Sequence, residues 1–284
     1  MTQKPTTASG YQPGTLEAVQ QTLLLLATVL GDLLDDIVVV GGLVPSLLIS
    51  KDELPAGADA HIGTNDLDLG LALTLLEQER YREISKRLRD RGFQPNLNDK
   101  GNKTHQRWRF DSDDVNVTLD FLIPPMDGTA AGAIKHIDDD FGAIVTPGLE
   151  LAIEHHVIVA FQGKMPAGAT AQRDIRVCGV GPFIVLKSLA MDGRSAPKDA
   201  YDIFYVLENF PGGVDVIAAK LLDLRQSRYF SQTRRILGRD FKAPKEVGPH
   251  NVATFLTGGS DAAIQARVYA YVSDLLAILD EDPG

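Results

Sequence analysis

Apolar residues follow two periodicities along this chain, one helical and one alternating. In TLEAVQQTLLLLATVLGDLLDD, Leu23, Leu26, Leu30 and Leu33 or Leu34 recur at helical spacing and predict an amphipathic helix. IVVVGG then reads as a short buried strand ending in a glycine pair. LVPSLLI restarts a helix with Pro45 near its first turn. SKDELPAGADAHIG is a loop, and TLLEQERYREISKRLRDRGF is a charged surface helix. QRWRF, VNVTLDFLIP, AIVTPG, HHVIVAFQG and IRVCGVG read as strands. Helices dominate from Pro182 onward, and no internal repeat is visible. The expected architecture is α+β: a disordered tail over 1–14, a mixed, largely antiparallel sheet with flanking helices over 15–180, and a helical part over 181–284.

The stretch HIGTNDLDLGLAL interrupts this pattern, because it puts two aspartates inside a strand-like apolar run. Successive strand side chains point to opposite faces, so Asp66 and Asp68 share one face and Leu67 and Leu69 the other. A third acid, Asp120, lies in NVTLDFLIP with Leu119 and Phe121 turned away from it. Three carboxylates can therefore meet on one sheet face. Unpaired acids in a core strand are costly, whereas hard divalent cations take oxygen ligands and can bridge carboxylates to phosphates. The Gly41-Gly42 turn, at a strand end before a helix, offers backbone N–H groups suited to phosphates.

Composition narrows the setting. A chain of 284 residues with 44% hydrophobic residues has ample material for a packed core. No uninterrupted apolar run reaches roughly 18 residues and the N-terminus is polar, so a cytoplasmic protein with no membrane partner is expected. Cys178 is the single cysteine and reads as a small core residue. The net charge of -10 argues against broad affinity for nucleic acid, so any such contact must be local. One segment qualifies: Arg225 to Lys245 carries seven Lys/Arg against one Asp, with Tyr229 and Phe230 interleaved. Arg228, Arg235, Arg239 and Lys242 fall at spacings that one helix could present as a stripe. A solvated helix face with no ligand is the alternative reading.

Further charges sit in PFIVLKSLAMDGRSAPKDAYDIFYVLENFPGG. Lys198, Asp202 and Tyr205 fall at i, i+4 and i+7 on one helix face, opposite Ile203, Val206 and Leu207. Lys187 and Arg194, seven apart, offer a point charge and a fork for triphosphate oxygens. A network joining Lys198, Asp199, Asp202 and Arg194 between two helices would explain the same residues without a ligand. Lys187 lies in the apolar run FIVLKSLAM, where a charge needs a partner. His61, His155 and His156 have no metal-ligand spacing and read as surface or turn residues. Trp108 reads as core, and Arg107 and Arg109 flank it on the opposite strand face.

Together VVVGG, GTNDLDL and VTLDFL resemble the nucleotidyltransferase superfamily of DNA polymerase β type. Their pattern is a Gly-Gly or Gly-Ser turn, a D-x-D and a third Asp on a neighbouring strand. The segment from Pro182 to Gly213 resembles the second half of the AbiEii/AbiGii-type nucleotidyltransferase toxins, where a helix with Lys and then Arg leads into a Lys-Asp-x-x-Asp helix. The likeness covers roughly residues 36 to 213. It departs in the 24-residue step from Gly42 to Asp66, longer than is usual.

The resemblance implies a nucleotidyltransferase-type sheet and transfer of a nucleoside monophosphate from an NTP to an acceptor hydroxyl. Asp66, Asp68 and Asp120 would hold two Mg²⁺ or Mn²⁺ ions and act in catalysis with Lys187 and Asp202. Gly41, Gly42, Thr64, Lys187, Arg194, Lys198 and Asp199 would bind the nucleotide. The implied acceptor is RNA, such as a tRNA 3′ end, held by Arg228, Arg235, Arg239 and Lys242, and the implied behaviour is that of a toxin checked by a separately encoded antitoxin. Two rivals stay open: the same chemistry on a small molecule such as an antibiotic, and a non-catalytic NTP-binding module.

Overall fold

The computed structural model describes residues 5–12, 14–72, 78–112, 115–126, 128–138, 141–194 and 196–281. Residues 1–4 and 13 of the expected tail and the first part of the charged helix, 74–77, lie outside the described residues. The chain is mixed α and β, with a mixed sheet followed by a helical C-terminal region. It divides into two compact units: the described residues within Pro13–Val44 and Gly63–Cys178, and those within Lys4–Gln12, Pro45–Ile62 and Gly179–Gly284.

The first unit contains helix α1 (Thr15–Leu30) and strand β1 (Ile37–Val40). Helix α2 (Val44–Leu48) straddles the passage into the second unit, and strand β2 (Asp66–Leu71) follows the return. Then come α3 (Gln78–Asp90), β3 (Gln94–Leu97), β4 (Lys103–Ser112), β5 (Val115–Ile123), β6 (Ile134–Asp138), β7 (Phe141–Val145), α4 (Leu149–Glu154), β8 (His156–Lys164) and β9 (Thr170–Cys178). The strands form one sheet in the order β3-β4-β5-β2-β1-β9-β8, with β7 joining β5 and β6 joining β7. β1 and β2 are antiparallel, β2 and β5 parallel, and β4 and β5 antiparallel.

This central group of strands separates the side chains as the alternation predicts. Leu67, Leu69, Leu119, Phe121 and Trp108 are fully buried on one face. There Phe121 meets Phe141 with ring centroids 4.7 Å apart, and Tyr81 of α3 closes over Phe141 at 5.5 Å. Burying each such side chain contributes roughly 1.5–3 kcal/mol, which fixes the strand register and thereby which residues face the other way. The expected core roles of Trp108 and Cys178 agree with their complete burial.

The second unit contains α5 (Val180–Gly193), α6 (Pro197–Asn209), α7 (Gly213–Leu222), α8 (Arg228–Asp240), α9 (Val247–Thr257) and α10 (Ala262–Glu281). Helix α5 packs on α6, α7 and α8, while α6 packs on α9. Residues 5–12 and 45–62 complete this unit, which corrects the expected disordered tail and the expected single start of the helical part near 180. The reason is apolar contact: Tyr11 stands edge-on to Phe255 with centroids 6.0 Å apart.

Three elements were not expected. β3 is built from QPNL and β6 from IKHID, segments with weak strand propensity whose residues are mostly exposed or half-buried. Helix α4 has only six residues, too few to show a period. Two helical stretches, Thr15–Asp36 and Ala262–Glu281, are long and apolar enough by length and composition to cross a membrane, which an unbroken-run criterion passes over. Here α1 packs on β8 and β9, and α10 on α7 and α9.

Candidate functional site

Two constellations emerge, one in each unit. In the sheet unit, register places Asp68 directly beside Asp120, and Asp66 beside Thr118. Neighbours in a parallel pair share a face, so all three aspartates stand on the face opposite the Leu-Phe-Trp core. Asp66 and Asp120 are 8% and 4% exposed, and Asp68 is half-buried. Thr118 donates its hydroxyl to Asp66 Oδ1 at 2.5 Å. Its position two residues before Asp120 was the signal for that role, and went unread.

Strand β4 supplies the counter-charge. Arg107 lies opposite Asp120 and grips it bidentately, Nε to Oδ1 at 2.6 Å and Nη2 to Oδ2 at 2.5 Å. Hydrogen bonding to Asp120 raises the Arg107 pKa against the opposing effect of burial, and the charges of Asp120, Asp66 and Asp68 add to the rise. Arg107 and Arg109, expected on the strand face opposite Trp108, stand on the Asp120 face, Arg107 in register with Asp120 and Arg109 with Thr118.

The glycine turn closes on the same carboxylates. Gly41 has φ +75°, and a Cβ there would lie 1.9 Å from Asp68 Oδ2. Only glycine lets the backbone approach that carboxylate in this conformation. Gly42 is buried beside it. Thr64, expected to bind nucleotide, is buried, and its hydroxyl accepts the Asp66 N–H at 3.3 Å, shaping the entry to β2.

The donor set is chemically right for Mg²⁺ or Mn²⁺, being all hard carboxylate oxygen. Asp120, however, is held by Arg107, and among the described residues no group of three His, Cys, Asp or Glu converges as an ion cage. Holding two ions thus requires Arg107 to release Asp120.

The helical unit holds the second constellation. The ammonium of Lys187 lies 2.6 Å from Asp202 Oδ2 and 3.0 Å from Asp199 Oδ1. Lys198 lies 2.7 Å from Asp202 Oδ1, at i and i+4 on α6. Arg194 donates to Asp199 through Nε at 2.8 Å and Nη2 at 3.0 Å. Lys187 was expected to reach a triphosphate; instead it is 7% exposed and bridges two carboxylates, as a charge in an apolar helix demands. Arg194, with its side chain 55% exposed, is the open cation of the group.

His61 belongs to the same network, which corrects its expected place on the surface. It is 4% exposed, and its Nε2 lies 2.9 Å from Asp202 Oδ1. Its ring stacks on Tyr201, with centroids 5.3 Å apart, and meets Tyr205 edge-on at 4.8 Å. No local pattern announces a contact across 141 positions. Burial pushes the His61 pKa down to about 4, only partly offset by its bond to Asp202. His61 is therefore neutral at pH 7, and since a carboxylate can only accept, Nε2 carries the proton.

Burial opposes ionisation of Asp202, yet the Lys187 and Lys198 charges and His61 hold its pKa well below the carboxylate range. Burial lowers Lys198, while the two aspartates raise Lys187 despite burial. Asp199 is lowered by Lys187 and Arg194 against burial. Three cations against two carboxylates leave one positive charge in excess.

The basic stripe is partly neutralised. Arg228, Arg235 and Arg239 share the exposed face of α8, opposite buried Phe230, Ile236 and Leu237. Arg239 pairs with Asp192 at 2.8 Å and Asp240 at 2.6 Å. Lys242 falls beyond the end of α8 at Asp240 and faces Glu246 at 3.4 Å, so it is not part of a helical stripe. Nearby Arg234 pairs with Asp280. His155 is exposed and His156 half-buried, at the turn between α4 and β8.

No protein-family model matches this sequence, and no curated protein matches it either.

Proposed function

We propose that the chain is a metal-dependent nucleotidyltransferase. The observation that carries the reading is the register of β2 and β5, which brings Asp66, Asp68 and Asp120 onto one face beside the Gly41-Gly42 turn. Three sequence-distant segments combine there as the resemblance to the polymerase β-type superfamily requires. Asp66 and Asp68, with Asp120 once freed from Arg107, would hold Mg²⁺ or Mn²⁺. When bound, the ions would neutralise phosphate charge and lower the pKa of an acceptor hydroxyl. Arg107 keeps three clustered carboxylates from repelling one another until then. In the helical unit, Asp199 and Asp202, the latter also held by His61, fix the positions of Lys187, Lys198 and Arg194.

RNA is the acceptor class the resemblance favours, with separately encoded antitoxin control of a toxin. The ion pairs on Arg239 and Lys242 favour a second reading, a small-molecule acceptor, because they leave less open cationic surface for an RNA backbone. The test is incubation with each labelled NTP and Mg²⁺ or Mn²⁺, against total RNA and against amine-bearing small molecules. Label should pass to RNA, and Asp68→Ala should abolish transfer while thermal unfolding stays close to wild type. No transfer to any acceptor, or full activity in Asp68→Ala, would remove the reading. Label on small molecules alone would establish the second.

A further inference from the structure

The helical unit contains a cavity of about 430 Å³ to which neither constellation assigns a role. That volume lies within the range of small-molecule sites, roughly 300–1,000 Å³. One wall is the loop Pro55 to Ala60 with Ile62, and the other is built from α6, α9 and α10. Tyr201, Phe204 and Tyr205 of α6 and Tyr271 of α10 give it four aromatic rings. The first three are 4%, 2% and 5% exposed, so they are held by packing rather than free to turn.

The ionic groups of the lining are Asp59, Glu208 and Arg267. Arg267 lies 3.2 Å from Glu208 Oε1, and its guanidinium sits 5.3 Å from the centroid of Phe204. The wall thus already binds one cation of the chain itself through a carboxylate and an aromatic face. Asp59 remains without an ion pair among the described residues, leaving the lining one negative charge in excess. Burial raises the Glu208 carboxyl, with Arg267 only partly offsetting it, so further positive charge near Glu208 is favourable. An anion would meet the opposite: two carboxylates and a single arginine already paired.

We propose that this cavity binds an organic cation, an ammonium carried on an apolar or ring-shaped body, against the α6 and α10 aromatic rings with Asp59 as counter-ion. Cation–aromatic attraction acts within about 6 Å of a ring face, and four aromatic rings line this cavity. The inference stands apart from nucleotidyl transfer, and its test contains no nucleotide.

Isothermal titration of the full chain with benzyltrimethylammonium, benzyl alcohol and benzenesulfonate separates charge from shape. The ammonium probe should bind at least tenfold more tightly than the neutral one, and the sulfonate should not bind. Asp59→Asn and Tyr271→Leu, both at the rim and outside the Asp202 network, should each weaken the ammonium probe several-fold while leaving the melting temperature unchanged. Equal binding of the neutral probe, preference for the sulfonate, indifference to both substitutions, or no heat with the ammonium probe at millimolar concentration would each overturn the proposal.

Discussion

At the residue scale, the most informative contact is the fork of Arg107 on Asp120. The alternation of VNVTLDFL made Asp120 legible as a face-sharing acid, but an aspartate reads the same whether its partner is a metal or an arginine. Only the register of β4 on β5 decides that Arg107 sits opposite it. If the carboxylates hold divalent ions, Arg107 competes with them for Asp120. Arg107→Ala should then tighten Mg²⁺ and Mn²⁺ binding by about tenfold or more, since a close charge pair is removed. A thermal-shift titration checks this: the metal-induced rise in melting temperature should be larger and should saturate at lower metal concentration than in wild type. Identical titrations would mean that Asp120 is not a ligand.

His61 gives a second prediction at this scale. Its pKa falls from 6.5 to about 4 on folding, so between those pH values the unfolded chain binds more protons than the folded one. Its contribution is therefore fully present above pH 6.5 and is lost as pH falls toward 4. At about 1.4 kcal/mol per pH unit the loss is of order 3 kcal/mol. Asp202, whose pKa is depressed, loses its contribution only below the ordinary carboxylate range, in a separate window. Urea midpoints measured from pH 7 to 4 should fall more steeply for wild type than for His61→Gln. Parallel slopes would show that His61 is not buried neutral.

Among the elements, those carried by strong periodicity were readable. Strands β1, β2 and β5 and helices α1 and α6 follow from their apolar residues: β1 is buried at all four positions and α6 over most of its surface, while β5 and α1 bury one face. β3 and β6 were not, since a marginal edge segment is held by its neighbours rather than by its own propensity. Helix α8 shows a subtler limit. Its amphipathic face was legible, but two of the acids that occupy it come from elsewhere: Asp192 lies in the last turn of α5, and Asp280 in the last turn of α10. Of the expected stripe, Arg235 is exposed and has no ion pair among the described residues, so it carries the RNA reading. Arg235→Glu should lower RNA labelling several-fold and make its salt dependence shallower by about one unit of slope, with NTP affinity unchanged. Unaltered RNA labelling would shift the acceptor toward a small molecule.

At the scale of the whole molecule, the chain leaves the sheet unit after Val44 and returns at Gly63, depositing 45–62 in the helical unit. The sequence showed this segment only as the body of a short helix and the loop SKDELPAGADAHIG, in a long step between the glycine turn and the D-x-D strand. Its contribution is specific: the Ile62 N–H donates to the Tyr201 hydroxyl at 3.2 Å, and His61 covers two tyrosine rings and binds Asp202. A fragment of residues 179–284 would keep all six C-terminal helices yet expose Tyr201 and Tyr205 and deprive Asp202 of a hydrogen bond. Aromatic contacts contribute about 1 kcal/mol each and the bond to a charged acceptor somewhat more, so the loss is several kcal/mol. The fragment should therefore melt well below the intact chain. Because a ligand that binds only the folded form stabilises it by mass action, a peptide of residues 45–62 added in trans should raise the fragment's melting temperature with peptide concentration. The same peptide carrying His61→Ala should raise it less. A fragment whose melting is indifferent to both peptides would show that the helices alone define the unit, and that the 45–62 segment merely rests on it.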